Sequence, residues 1–289
     1  MDFSIGTAQF GLSYGVTNTK GKVSAIEINK ILEHARRNNI IKIDTAIDYG
    51  ESEKSLGQAN ISNCKVVTKL PKVPNEAKDI SQWINDQINS SLSRLKIPSL
   101  YGLLLHNPAD LLSEKGEEIW ESINLKKNEG LIKKIGFSIY DPIELDSLWE
   151  IFKPDIVQAP FNILDRRIKN SGWLKKLNEN NVEIQVRSIF LQGLLLMSPI
   201  ERNNIFYKWH SIWNILDTWL LTNNISPIEA SLGFVLSEKY IDCIVVGVES
   251  YDQLNEIIST SNNQFNFELP AVLNVDDLDL IEPYNWGIK

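Results

Sequence analysis

The chain has 289 residues, with 29 Lys and Arg against 37 Asp and Glu, a formal charge of −8. Its 43% hydrophobic and 23% charged residues provide ample apolar mass for a core, which excludes disorder as a description of the whole chain. The acidic balance argues against sequence-independent nucleic-acid binding and against docking on an anionic membrane surface.

In chain order, short apolar runs alternate with amphipathic stretches. A strand is predicted over Phe3–Thr7, followed by a helix over Ser24–Asn38. Ser24 caps that helix, Glu27 completes a capping box, and Ile28, Ile31, Leu32 and Ala35 form its apolar stripe. Strands follow over Ile40–Asp44 and Lys65–Leu70, then a helix over Ser81–Lys96 that Pro98 closes. Next come a strand over Leu100–Leu105, a helix over Ser113–Glu129 ended by Gly130, and a strand over Lys133–Phe137. A helix over Pro142–Phe152, a strand over Asp155–Gln158, a helix over Ser171–Asn180 and a strand over Glu183–Arg187 continue the alternation. Pro142 and Pro227 suit first-turn helix positions. The last strand spans Ile241–Val246 and leads into a helix over Ser250–Ser259.

Most of these strands are nearly continuous apolar runs, such as KVVTKL and CIVVG, as expected of a parallel sheet covered on both faces. Eight βα alternations predict an α/β fold of the (β/α)8 TIM-barrel type, one domain over residues 1–289. Neither GxGxxG nor GxxxxGK[ST] occurs, so the usual sign of a doubly wound dinucleotide site or a P-loop is missing. Cys64 and Cys243 stand far apart and read as reduced thiols of a cytoplasmic protein. With His34, His106 and His210 they show no zinc-ligand spacing, so no metal site is expected. No apolar run reaches the ~18–20 residues that span a bilayer, and MDFSIGTAQFG does not read as a signal peptide.

In a barrel, polar residues at the C-terminal ends of strands face the active-site mouth. Asp44 ends strand two, with Tyr49 shortly after it; Lys69 ends strand three, and His106 follows strand four. Each alone has a bland reading, as a cap, a packed ring or a core histidine. A lysine ending an apolar strand is harder to dismiss, because a buried ammonium requires a counter-charge and Asp44 is the nearest candidate. Together the four can give or take a proton at a carbonyl or alcohol oxygen. The lysine is expected to lower the phenol pKa and the imidazole to orient the reacting oxygen. No side chain supplies hydride, so a redox cofactor is required.

With these residues in place, the sequence resembles the aldo-keto reductase family. The resemblance is carried by GTAQFG, DTAIDYGESEKSLG, VVTKL, LLLHNP, IGFS, VQAPFN, RSIFLQGLL and VGVESYDQL, in family order across nearly the whole chain. It implies an NADPH-dependent reductase of a small-molecule aldehyde or ketone. Tyr49 would be the general acid, assisted by Lys69 and Asp44, and His106 would orient the carbonyl. Gly6, Thr7, Ala8, Ser138 and Gln158 would hold the nicotinamide. Ser188, Phe190, Gln192 and Gly193 would run along the pyrophosphate. Gly247, Ser250, Gln253 and Glu256 would hold the adenosine end.

The chain departs from the family at several positions. Arg187 stands where an aromatic ring commonly meets the nicotinamide; a planar guanidinium can stack there too, so Arg187 is kept as a cofactor contact. Ile139 replaces a carboxamide-binding Asn. The usual hairpin under the barrel is not seen before strand one, and Phe3 is expected to cover that end. Gly247 and Gln253 replace the cations that grip a 2′-phosphate, with Glu249 between them, which makes NADH use possible. Tyr14 and Trp286 are expected to wall the substrate pocket, while Trp209 and Trp213 are expected in the core. Several segments resemble members found with bacterial sugar pathways, which implies a sugar-like substrate. Two alternatives stay open: a non-catalytic nicotinamide-binding regulatory subunit, and a barrel aldolase forming a Schiff base on Lys69. Oligomeric state is not legible.

Overall fold

The computed structural model describes residues 1–202 and 204–287. Eight strands run β1 Asp2–Gly6, β2 Lys42–Asp44, β3 Lys65–Leu70, β4 Leu100–Leu105, β5 Ile132–Ser138, β6 Ile156–Pro160, β7 Glu183–Arg187 and β8 Cys243–Gly247. They pair in sequence order, all parallel, and β8 closes on β1 through Asp2↔Cys243 to Gly6↔Gly247. The expected (β/α)8 barrel is therefore the observed fold. The strand assignments for β3, β4 and β7 coincide with the sequence reading, and the others shift at their ends by one or two residues, as element boundaries do.

Side chains alternate across each strand, so successive residues face the barrel axis and the helical layer. On β2, Ile43 joins the large apolar layer between strands and helices, while Lys42 and Asp44 enter the interior at opposite ends. The helices Ala25–Arg37, Ile80–Leu95, Gly116–Asn128 and Tyr251–Ser261 contribute Ile31, Ile84, Ile119 and Leu254 to that layer. Ser24 accepts from the Glu27 amide as a cap, but the Glu27 carboxylate turns instead to the amide of Tyr251 and to Lys30. The reciprocal capping box occurs at Ser226 and Glu229, with Pro227 in the first turn. Pro142 sits one position earlier than expected, at the cap of Ile143–Leu148.

The bottom of the barrel is filled by charge. Glu183 accepts from Lys42 at 3.0 Å, Lys134 at 2.6 Å and Tyr101 at 2.5 Å, and Lys42 also reaches Asp2 at 3.2 Å. Burial alone would raise the Glu183 carboxyl, but these bonds and the Lys42 charge overcome it and hold it at about 2. Phe3 does not cover this end; odd positions of β1 face outward, and its ring packs on the strand–helix layer. Above the charged floor, Val67, Leu104 and Ile156 form a thin apolar plug. A second apolar cluster gathers Leu194, Phe206, Trp213, Leu280 and Trp286 beside the helix His210–Asn223, and Trp209 packs against it.

Candidate active site

The open end of the barrel gathers the polar residues. The β1 and β2 ends are tied together: Thr7 Oγ1 donates to the Asp44 carbonyl at 2.9 Å, and Ser52 Oγ donates to Thr7. The loop carrying Tyr49 is pressed onto the Gly11 turn so closely that a Cβ on Gly11 would stand 1.8 Å from the Tyr49 carbonyl oxygen. The following Glu53 is buried and accepts from Thr68, Ser91 and Arg94, which pins the helix Ser52–Gln58 behind the loop. These contacts explain why GTAQFG and DYGESE carry so many small and polar residues.

Lys69 lies at the centre. Its ammonium is 1% exposed and donates to both Asp44 oxygens at 2.8 Å and to the Thr45 carbonyl at 2.9 Å. It lies 5.1 Å from the centroid of the Tyr49 ring. The His106 ring meets Tyr49 edge-on, with centroids 5.9 Å apart. Burial, then the charges of Lys69 and Arg187, push the His106 imidazole down to about 3, so it is neutral across the physiological range. Burial also lowers Lys69, with Asp44 opposing.

The Tyr49 hydroxyl departs from expectation. Its pKa is raised, by burial first and then by the Asp44 carboxylate, and the cation that opposes the rise is Arg187. Asp44 neutralises Lys69 at contact distance, which blunts its effect on the phenol. All three Lys69 hydrogens are also donated to acceptors, an arrangement that favours the ammonium, the form that cannot attack a carbonyl to make a Schiff base.

A cleft of about 310 Å3 opens over these groups. Near the chemistry it is lined by Asp44, Tyr49, His106, Ser138 and Tyr14, and along one wall by Gly6, Thr7 and Ala8. Arg187, Ser188, Phe190, Gln192 and Gly193 form the opposite wall, and Gly247, Gln253 and Glu256 the far end. Four expected site residues lie elsewhere. Lys69 is beneath the cleft. Gln158 is fully buried, donating to Asp44 Oδ1 at 2.7 Å and to Gln185. Ser250 accepts from the Gln253 amide as the cap of Tyr251–Ser261 and does not line the cleft. Trp286 donates to the Leu280 carbonyl inside the second apolar cluster and is no pocket wall. Nearness to the C-terminus suggests a pocket wall, but the indole is satisfied by a carbonyl of the preceding helix inside that cluster.

Sequence reasoning missed Tyr140, Gln9 and Thr17, which also line the cleft. Tyr140 was findable: it continues the inward alternation of Lys134, Gly136 and Ser138 past the end of β5. Its ring holds the Arg187 guanidinium, 4.5 Å from the centroid, so one face of the guanidinium is already stacked. Ile139 is a core residue whose carbonyl accepts from Arg187 Nη2 at 3.0 Å.

The cleft suits an elongated polyanionic cofactor. After β7 the backbone takes positive φ at Ser188 (59°), Leu191 (47°), Gln192 (54°) and Gly193 (90°), a strained turn that brings Ser188, Phe190, Gln192 and Gly193 to the cleft. A Cβ on Gly193 would meet Thr17 Oγ1 at 2.4 Å, so only glycine closes this turn over the cleft. Beneath the Asp44 end of the cleft, Gln158 Oε1 is buried without a hydrogen-bond partner, beside the Asp44 carboxylate that its Nε2 reaches.

The family profile described as the Aldo/keto reductase family matches residues 2–270. The chain belongs to the aldo/keto reductase family. An uncharacterized oxidoreductase of Bacillus subtilis, YqkF, is 23% identical over 252 residues, covering 80% of this chain and 81% of that protein. The NADH-specific methylglyoxal reductase of Escherichia coli is 25% identical over 281 residues, covering 81% and 82%. Among solved structures, the holo form of the aldo-keto reductase AKR11C1 from Bacillus halodurans superposes with a TM-score of 0.72 at 18% identity, covering 92% of this chain and 88% of that one. This aldo/keto reductase is an NAD(P)H-dependent oxidoreductase. Among the described residues no helix is long and apolar enough to cross a membrane, and no cluster of His, Cys, Asp or Glu could hold a metal.

Proposed function

We propose that this aldo/keto reductase reduces an aldehyde or ketone to the alcohol with Tyr49 as the general acid. The observation that carries the reading is the buried Lys69–Asp44 pair beneath the Tyr49 ring, with a neutral His106 at its edge and an open cleft above. A reduced nicotinamide, when bound, supplies the hydride. Tyr49 donates its proton to the carbonyl oxygen, and His106, as a neutral imidazole, donates a hydrogen bond that orients this oxygen. The raised Tyr49 pKa keeps the proton on the phenol at neutral pH. As negative charge develops on the phenol, Lys69 below and Arg187 beside it stabilise it. The residues to hold the nicotinamide end are Ser138, which lines the cleft, and Gln158 through the unpartnered Oε1 beneath it, and the Ser188–Gly193 turn lies along the pyrophosphate.

The same reading extends to coenzyme choice: NADH binds at least as tightly as NADPH. Glu249 and Glu256 line the far end of the cleft, and among the described lining residues the only Lys or Arg is Arg187 at the opposite end. A 2′-phosphate there meets carboxylates, and the cation that acts on Glu249, Lys20, does not line the cleft. The NADH-specific Escherichia coli relative points the same way. The test is an aldehyde panel read by coenzyme oxidation, with wild type and Tyr49→Phe, and binding titrations with both coenzymes. Tyr49→Phe is expected to lose 10²–10⁴-fold in rate. Full-rate reduction by Tyr49→Phe refutes the mechanism, and tenfold tighter NADPH binding refutes the coenzyme assignment.

A further inference from the structure

We infer that Arg187 anchors an anionic group on the substrate, so that the natural substrate is a carbonyl compound bearing a carboxylate or a phosphate. The inference rests on the carbonyl-reduction reading above. It comes from the charges around the mouth. Asp44 is already engaged, accepting two bonds from Lys69 and one from Gln158. His106 is neutral, and burial raises the pKa values of Tyr14 and Tyr49, which stay protonated. Asp48 is exposed and does not line the cleft. Arg187 therefore brings a permanent positive charge that no carboxylate meets among the described residues.

Its donors are equally uncommitted. Nη2 donates to the Ile139 carbonyl at 3.0 Å and Nη1 to Ser188 Oγ at 3.3 Å. A guanidinium has five N–H donors, so three remain in a residue that lines the cleft. Carboxylates are close by in sequence but are used elsewhere: Asp141, next to Tyr140, pairs with Arg167, which Asp165 and Glu282 also hold. Tyr140 fixes the plane of the Arg187 guanidinium by stacking, so little rotamer freedom is lost when an anion docks. A half-buried, pre-oriented fork that meets no carboxylate and keeps three free donors is matched by an oxyanion with two adjacent oxygens. Both a carboxylate and a phosphate have this form.

The experiment uses matched substrate pairs: succinic semialdehyde against butanal, and glyceraldehyde 3-phosphate against glyceraldehyde. Wild type is compared with Arg187→Gln and Arg187→Lys. In wild type, at least one anionic partner is expected to exceed its neutral twin by roughly tenfold to hundredfold in kcat/KM, the range of a charge-assisted bond. In Arg187→Gln that ratio falls to within about twofold, chiefly through KM. Arg187→Lys, which keeps the charge and loses the fork, falls between. The pair that responds separates carboxylate from phosphate. A wild-type ratio near one overturns the inference. So does an equal loss for both twins in Arg187→Gln together with weakened NADH binding, which assigns the residue to the coenzyme. If wild type reduces none of the four aldehydes, it is the carbonyl-reduction reading that fails. Tryptophan-fluorescence titration with succinate and inorganic phosphate then decides the anchor on its own. Binding at least tenfold tighter to wild type than to Arg187→Gln supports it, and equal binding overturns it.

Discussion

Replacing Asp44 by Asn removes the counter-charge of an ammonium that is 1% exposed. The amide can keep the shape of the site, but Lys69 is left buried beside a neutral partner, at a cost of about 3–5 kcal/mol. An unfolding entropy of about 2.1 cal/mol/K per residue gives a chain of this length about 0.6 kcal/mol/K. The expected loss is thus about 5–8 °C in Tm at pH 7. The pH dependence identifies the cause. Burial already lowers Lys69 in the wild type, and removing Asp44, the main group opposing that shift, lowers it further. The unfolded chain then binds the proton that the folded variant has shed, so stability rises with pH up to the ordinary lysine value. The slope is about 1.4 kcal/mol per pH unit where the two states differ by one proton. Melting curves of wild type and Asp44→Asn at pH 6.5, 7.5 and 9.5 are expected to converge at the highest pH. Adding Lys69→Met to Asp44→Asn removes the stranded charge and restores part of the loss. A deficit equal at pH 6.5 and 9.5, or a double variant no more stable than Asp44→Asn, refutes the argument.

Glu183→Gln, at the opposite end of the barrel, is expected to cost about 3 kcal/mol while leaving kcat unchanged, since Glu183 sits among Lys42, Lys134 and Tyr101 on the floor. Because the folded carboxyl lies at about 2, its contribution is present above the ordinary glutamate value and fades as pH falls through about 2; acid titration of the two proteins, followed by circular dichroism, shows whether their curves converge. The reductive rate is expected to be flat from about pH 5.5 to 8.5, because His106 at about 3 stays neutral and Tyr49 above its ordinary value stays protonated; a break near 6.5 that disappears in His106→Gln contradicts this. Gly193→Ala places a methyl against Thr17 in a residue with φ of 90°, and about a tenfold rise in the NADH dissociation constant by fluorescence titration is expected; an unchanged value shows that the turn does not serve the coenzyme.

What could be read from the amino acids and what could not divide along a physical line. Alternation of apolar runs is a local signal, and it placed all eight strands because parallel strands are buried on both faces and have little choice of residue. The Lys69–Asp44 pair was legible for a related reason: an ammonium in KVVTKL has to be met by a charge, and the strand order leaves one near. The polar floor was not legible, because Lys42, Lys134 and Glu183 lie on three different strands and each alone reads as a solvated end. Trp286 was misread because an indole satisfied by the Leu280 carbonyl inside an apolar cluster looks, in sequence, like one that is free to bind.

Arg187 shows the same limit from the other direction. Its position in RSIFLQGLL brought it to the cleft, but what it touches there depends on Tyr140 and Ile139, 47 and 48 residues earlier. In sequence it was a cofactor contact by analogy with an aromatic ring. In the structure one face is taken by Tyr140, the Ile139 carbonyl fixes its orientation, and Asp141, next to Tyr140 in sequence, is held by Arg167. A charge isolated in this way, beside a phenol whose acidity it favours, is the feature of the mouth by which this chain would choose among carbonyl compounds.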